Sequence, residues 1–146
     1  MTTDIPVAAR RLGYAGLIPF AANALMIWLF HQPEHLDQLT FVTLALQAWG
    51  AVILSFMAAI PWALGMARPE LGARTYWVPS LLAGLAWIGM LMPAYAGLVV
   101  LGGALIGCYT FDRRIYPLAG LSHWLTLRFR LTAVAAFFCF FGAAGA

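Results

Sequence analysis

The densest group of side chains that could do chemistry lies in one short polar segment, HQPEHLD. His31 and His35 are four residues apart, and Glu34 and Asp37 flank them. Imidazole and carboxylate groups both bind transition metals such as Zn and Cu. However, Pro33 stands between the two histidines and breaks the helical register that would place them on one face. We therefore expect a polar loop that faces water, without a bound metal.

Two uncharged amides, Asn23 and Gln47, lie deepest in the first two apolar stretches of the chain. A buried amide in a bilayer needs a hydrogen-bond partner, so such residues often bridge helices. We expect this packing role, and a contact to a substrate or quinone is the alternative. Ser55 lacks both the G-x-S-x-G context and the nearby His that a nucleophilic serine requires. The sequence therefore predicts no catalytic residue and no cofactor.

Four arginines in the last third of the chain are candidates for binding an anionic lipid head group. They are Arg113, Arg114, Arg128 and Arg130. The alternative is that they only set the orientation of the chain in the membrane. In either case we expect no Asp, Glu, Arg or His inside the hydrocarbon layer. Proton relays and ion pathways usually need such a residue, so this expectation counts against a pump or a proton-coupled transporter.

Small residues mark a candidate surface for a partner helix. Gly103 and Gly107 form a small-xxx-small pair, with Gly102 beside them. Such pairs let two helices approach closely in lipid. A second candidate surface is the Trp87 side of the preceding apolar run. We predict that these two surfaces bind other membrane protein subunits.

The composition shows which kind of structure must position these residues. Of the 146 residues, 64% are hydrophobic and only 9% are charged, against roughly 25% charged residues in a typical soluble domain. So few charges cannot cover a globule of this size, and lipid must therefore be the solvent for most of the surface. A nucleic-acid partner needs a basic face on a soluble domain, and the formal charge of +3 supplies none.

The apolar pattern predicts an all-α integral membrane protein, a compact bundle of five transmembrane helices in one domain, 1–146. A crossing needs about 20 apolar residues. The predicted crossings lie at about 12–30, 39–62, 76–92, 94–111 and 124–146. Pro61 is expected to kink the second run. Pro93 separates the third and fourth runs by a very short connection, which predicts an antiparallel helical hairpin.

All eight basic residues are arginines, and all are predicted to lie on one side of the membrane. They precede the first run, lie between the second and third runs, or lie between the fourth run and Leu131, where the apolar part of the fifth crossing begins. Because loops rich in Lys and Arg stay on the cytoplasmic side, the N-terminus is expected in the cytoplasm and the C-terminus outside. The expected location is the bacterial inner (cytoplasmic) membrane, and the alternative is the mitochondrial inner membrane.

Three sequence blocks carry a resemblance to a known family. They are LGYAGLIPF at 12–20, AWGAVILSFMAAIPWALGM at 48–66, and VPSLLA at 78–83 together with HWLTLRFRLT at 123–132. In this order they resemble the transmembrane protein 69 family, a family of unknown function found in bacteria and mitochondria. The second block departs from the family pattern, because Ala58 and Ala59 replace a glycine pair and Pro61 stands where a polar or basic residue is common. The resemblance implies no activity, cofactor or catalytic residue.

Three classes of function remain after these observations. We favour a non-catalytic accessory subunit or assembly factor of a larger membrane complex, such as one of an electron-transport (respiratory or photosynthetic) chain. Its expected partners are the lipid bilayer, including anionic phospholipid, and other membrane protein subunits. The alternative is a small transporter or channel that acts as an oligomer. A membrane enzyme is the third class, and the sequence offers no site for one.

Overall fold

Helices dominate the architecture. The computed structural model describes residues 4–146, and it is 88% helix, with no β-strand in that part of the chain. In chain order the α-helices are α1 (Val7–Ala15), α2 (Ile18–Leu29), α3 (Leu36–Ala67), α4 (Arg74–Leu91), α5 (Ala94–Ile115) and α6 (Leu125–Gly145).

Within residues 4–146, four helical segments are long and apolar enough to cross a membrane. They are Val7–Leu29, Pro33–Ala67, Ala94–Ile115 and Ser122–Gly145. α4 has only 18 residues and begins with the polar pair Arg74 and Thr75, which lowers its hydropathy. The predicted all-α membrane bundle is thus confirmed, whereas a fifth crossing by α4 stays a prediction.

Prolines define where two of the helices end. Pro19 has no backbone N–H to donate to the carbonyl of Ala15, and the first apolar run is divided there into α1 and α2. Pro93 separates α4 from α5 in the same way. Pro61, in contrast, is buried within α3, and the helix continues through it to Ala67. A proline alone therefore does not decide whether a helix stops.

α3 occupies the centre of the bundle and packs against α2, α4 and α5, while α6 packs against α5 and α2. Large side chains without exposed surface fill the interior, among them Ile27 of α2, Leu46 and Leu54 of α3, and Leu98 and Leu101 of α5. The buried residues of α5 recur every three or four positions, as expected for a helix with one buried face.

Side-chain hydrogen bonds join separate segments of the chain at each end of the bundle. Arg68, after α3, donates from Nη1 to the carbonyl oxygen of Leu118, before α6, at 3.3 Å. At the opposite end Trp28 Nε1 donates to the carbonyl oxygen of Phe141 at 3.0 Å. Two 3₁₀ turns, Pro117–Ala119 and Ser122–Trp124, occupy the connection before α6. Gly120 lies between them with φ +75°, a left-handed conformation that interrupts a helix.

Candidate functional site

A buried ion pair joins α5 to α6 near their adjacent ends. Asp112 has no exposed surface and Arg128 is only 6% exposed. Arg128 donates from Nε to Asp112 Oδ2 at 3.2 Å, and its Nη2 contacts the same oxygen. It is the one salt bridge within residues 4–146. Since two charges are removed from water together, the pair is stable only because each neutralises the other.

This pair bears on the expectation that the hydrocarbon layer contains no charged residue. Asp112 and Arg128 both lie within segments that can cross a membrane, Ala94–Ile115 and Ser122–Gly145. The predicted fourth crossing, 94–111, ends just before Asp112, and the predicted fifth, 124–146, contains Arg128, but the pairing of the two was not predicted. The spacing of buried residues along each helix is the sequence feature that indicates this pair. Asp112 continues the buried stripe of α5, four residues after buried Cys108, and Arg128 stands four residues before buried Thr132.

The remaining hydrogen-bonding capacity of the pair is poorly used. Arg128 Nη1 faces the thioether sulfur of Met57, and Nη2 lies 4.0 Å from the sulfur of Cys108. Sulfur is a weak acceptor. Asp112 Oδ1 is buried without a hydrogen-bond partner. Tyr116 lies beside the pair, and burial raises the pKa of its phenol above the ordinary value, so the group remains a protonated donor at neutral pH.

Arg128 also lines a large cavity of about 710 Å³. The walls come from α1, α2, α3 and α6, with Leu105 of α5 and part of the connection before α6. They are almost entirely apolar, and the side chains of Arg128, Tyr116 and Thr132 are among the few polar contributions. Leu12 and Phe56 line the cavity while remaining 72% and 64% exposed, so its edge is open to the surroundings. A volume of this size falls in the range of about 300–1,000 Å³ typical of ligand sites.

Gln47 confirms the predicted bridging role of a buried amide. Its Nε2 donates to the carbonyl oxygen of Gly89, and also to that of Met92 at 3.2 Å. Gly89 would ordinarily accept the N–H of the residue four positions later, but that residue is Pro93. Gln47 of α3 therefore supplies the donor that the proline lacks at the end of α4. Asn23 differs, because its Nδ2 donates to the carbonyl oxygen of Pro19, within α2, at 2.8 Å. This hydrogen bond does not join two helices.

The glycines of α5 divide between two surfaces. Gly102 is buried against α6, where an added Cβ would lie 3.0 Å from the ring of Phe140. This corrects its assignment to a partner-binding face. Gly103 and Gly107 are exposed, with nothing within 4 Å of an added Cβ. Trp87 of α4 is 65% exposed. Three of the four predicted partner-binding residues thus lie on the outside of the bundle.

The four predicted lipid-binding arginines are not equivalent. Arg113, Arg114 and Arg130 are exposed. The side chain of Arg128, in contrast, points into the bundle and pairs with Asp112. The reason is that residue 128 falls on the face of α6 that packs against α5, whereas residue 130 falls on another face.

The polar segment HQPEHLD, at 31–37, joins helices. His31 Nδ1 lies 2.9 Å from the carbonyl oxygen of Gly145, near the end of α6. His35 packs against the ring of Phe30 in an edge-to-face arrangement, with centroids 5.7 Å apart. Among residues 4–146 there is no group of three or more His, Cys, Asp and Glu side chains that could hold a metal ion.

Comparison with known proteins gives a family without a known activity. Residues 5–144 match a family described as proteins of unknown function, DUF3429. Over 144 residues the chain is 35% identical to Transmembrane protein 69 of Xenopus tropicalis, covering 92% of this chain and 53% of that protein. The chain thus spans about half the length of this curated relative. No solved structure matches it at a significant level. The resemblance recognised in the three sequence blocks is confirmed.

Proposed function

We propose that this chain, which belongs to the DUF3429 family of proteins of unknown function, is a non-catalytic accessory subunit or assembly factor of a larger membrane complex. One observation carries the proposal. Gly103 and Gly107 lie one helical turn apart on the exposed side of α5, with open space beside both. Glycine gives a helix neither side-chain packing nor good helix propensity. Its use at two exposed positions is explained by close approach of a helix from another subunit.

The setting that we propose is an electron-transport chain in the bacterial inner membrane or the mitochondrial inner membrane. The sequence resemblance extends over bacteria and mitochondria, and inner membranes of both kinds contain large respiratory complexes. Small helical subunits without catalytic residues are consistent with such complexes, because van der Waals contact between helices is enough to hold them in lipid.

We also propose five crossings, with the N-terminus in the cytoplasm. Contacts at both ends of α4 support this count. Gly65 of α3 packs against Thr75 at the start of α4, and Gln47 of α3 bonds to Gly89 near its end. α4 therefore follows α3 along its length. The bond from Arg68 to the connection before α6 supports placing the arginine-rich connections on one side. Accessibility of cysteines introduced at His35 and Arg114 tests this topology, and labelling of both from the same side contradicts it.

The docking proposal is tested by purifying the tagged chain in mild detergent and identifying co-purified membrane proteins by mass spectrometry. The Gly103→Leu/Gly107→Leu variant should insert and fold normally but lose the co-purified subunits. Ala59→Leu/Ala63→Leu is the matched control, because both alanines are exposed on α3 at the same spacing. Recovery of the same subunits with the glycine variant, or recovery of the native chain alone in several detergents, contradicts docking through α5.

A small transporter or channel that acts as an oligomer is the second candidate, and a specific observation favours it. The buried Asp112–Arg128 pair beside an open cavity removes the argument that no charged residue lies within the apolar segments. Intramembrane charges commonly mark pathways for ions or substrates. Flux assays in proteoliposomes that show transport by the purified chain, abolished in Arg128→Met, would favour this candidate over docking.

A further inference from the structure

The guanidinium of Arg128 has more donors than the protein has good acceptors for. A guanidinium carries five N–H donors. Asp112 accepts through a single oxygen, the sulfurs of Met57 and Cys108 are weak acceptors, and the phenol of Tyr116 lies beside the guanidinium. In the apolar part of a membrane there is little water to complete this set. An oxygen acceptor supplied from the cavity beside Arg128 would complete it.

The Asp112–Arg128 pair favours one kind of additional acceptor for Arg128. Asp112 already neutralises the charge of Arg128, so a neutral carbonyl oxygen fits this position better than a second anion. The phenol of Tyr116 lines the same cavity and remains a donor. The two side chains are thus suited to hold the ester carbonyl of a lipid.

The length of the cavity agrees with one acyl chain. Its lining on α6 begins at Trp124 and ends at Ala135, and its lining on α3 runs from Trp49 to Ile60. Each stretch advances eleven residues, or about 16 Å at about 1.5 Å per residue. Half of a hydrocarbon layer of about 30 Å is about 15 Å. The cavity therefore reaches about as deep as the chains of one leaflet.

Exposed positive charge lies on α1, the helix that forms one wall of the cavity. Ala9 and Leu12 of α1 line the cavity, and the exposed Arg10 and Arg11 between them lie on the other faces of the same helical turn. Asp4 is the one acidic residue of the described part of the chain that precedes α2. Clustered arginines at a membrane surface attract anionic head groups, so the charge on this turn of α1 would draw a lipid phosphate to the neighbourhood of the cavity.

We propose that the cavity between α1–α2, α3 and α6 is a binding site for one anionic phospholipid. Its acyl chain fills the cavity, its ester carbonyl accepts from Arg128 and Tyr116, and its phosphate lies against Arg10 and Arg11. This site is separate from the exposed Arg113 and Arg114 and does not depend on docking through α5. An isoprenoid quinone has a similar carbonyl and apolar tail but no phosphate, so it does not use Arg10 and Arg11.

The test is native mass spectrometry of the purified full chain after delipidation, with added phosphatidylglycerol, phosphatidylcholine or decyl-ubiquinone. We expect one phosphatidylglycerol per chain, retained at least about tenfold better than phosphatidylcholine, a difference of about 1.4 kcal/mol. Arg10→Gln/Arg11→Gln should remove this preference. Arg113→Gln/Arg114→Gln, an equal change of charge elsewhere, should keep it.

A second pair of variants tests the cavity itself. Ile53 lines the cavity, whereas the adjacent Val52 is 57% exposed on another face of α3. Ile53→Trp should abolish retention of the lipid, and Val52→Trp should leave it unchanged. Four outcomes would each overturn the proposal. Two concern the head group: equal retention of both phospholipids, or equal loss of the preference with either arginine pair. Two concern the cavity: retention of the lipid by folded Ile53→Trp, or preferential retention of the quinone.

Discussion

Breaking the Asp112–Arg128 pair should show how a buried charge is held inside this bundle. Asp112→Leu leaves the guanidinium buried without its carboxylate, and Arg128→Met leaves the carboxylate buried alone. An exposed ion pair contributes about 0–1 kcal/mol, but the loss of one partner from a buried pair costs about 3–5 kcal/mol. Exposure of 0% for Asp112 and 6% for Arg128 places the pair in the second class. Each single variant should therefore lose about two to three and a half powers of ten in its folding equilibrium constant.

The double variant separates this reasoning from a simple loss of packing. Replacing both members of a buried pair by apolar residues of similar size is often neutral or stabilising by about 1–4 kcal/mol. Asp112→Leu/Arg128→Met should therefore be more stable than either single variant. The assay is reversible unfolding in mixed detergent micelles, followed by circular dichroism, with the coupling energy taken from the double-mutant cycle. Arg114→Met, at an exposed arginine, serves as the control and should change the free energy of unfolding little.

One outcome would refute the argument. If the free energies lost in the two single variants simply add in the double variant, the two charges do not stabilise each other. The burial seen for Asp112 and Arg128 would then have another cause.

Three further substitutions test contacts between helices. Gln47→Leu should lower the free energy of unfolding by about 1–3 kcal/mol, because it leaves buried carbonyl groups at the end of α4 without a donor. Gln38→Leu, at an exposed site of α3, should have little effect. Denaturant titration measures both variants. Gly97→Ala should destabilise the protein by about 1–3 kcal/mol, because the new Cβ would collide with the Gln47 side chain. Gly103→Ala adds a Cβ in open space and should stabilise α5 by about 0.5–1 kcal/mol. Thermal melting compares the two variants. Trp49→Phe removes the 3.0 Å hydrogen bond from Nε1 to the carbonyl oxygen of Gly16, at the break between α1 and α2. The free energy of unfolding should fall by about 0.5–1.5 kcal/mol. Unchanged hydrogen exchange of the amides around that break would argue against this role.

Much of this fold follows from local features that a sequence displays directly. Long apolar runs require helices in lipid, because only internal hydrogen bonding satisfies the backbone there. Pro93 marks the end of α4 because its missing N–H interrupts the helical hydrogen bonds. The family was also recognisable, since three blocks of sequence survive in order over nearly the whole chain. These features depend on residues near one another in the sequence.

The tertiary structure decided which face each residue occupies. Gly102 and Gly103 are neighbours with the same local propensity, yet α6 covers one and leaves the other exposed. Asp112 and Arg113 likewise belong to one charged cluster, but only Asp112 faces α6 and meets Arg128. Neighbouring residues on an α-helix point about 100° apart, so the position of the packing helix decides which of them is buried. That position depends on contacts between distant segments, which the local sequence pattern does not specify.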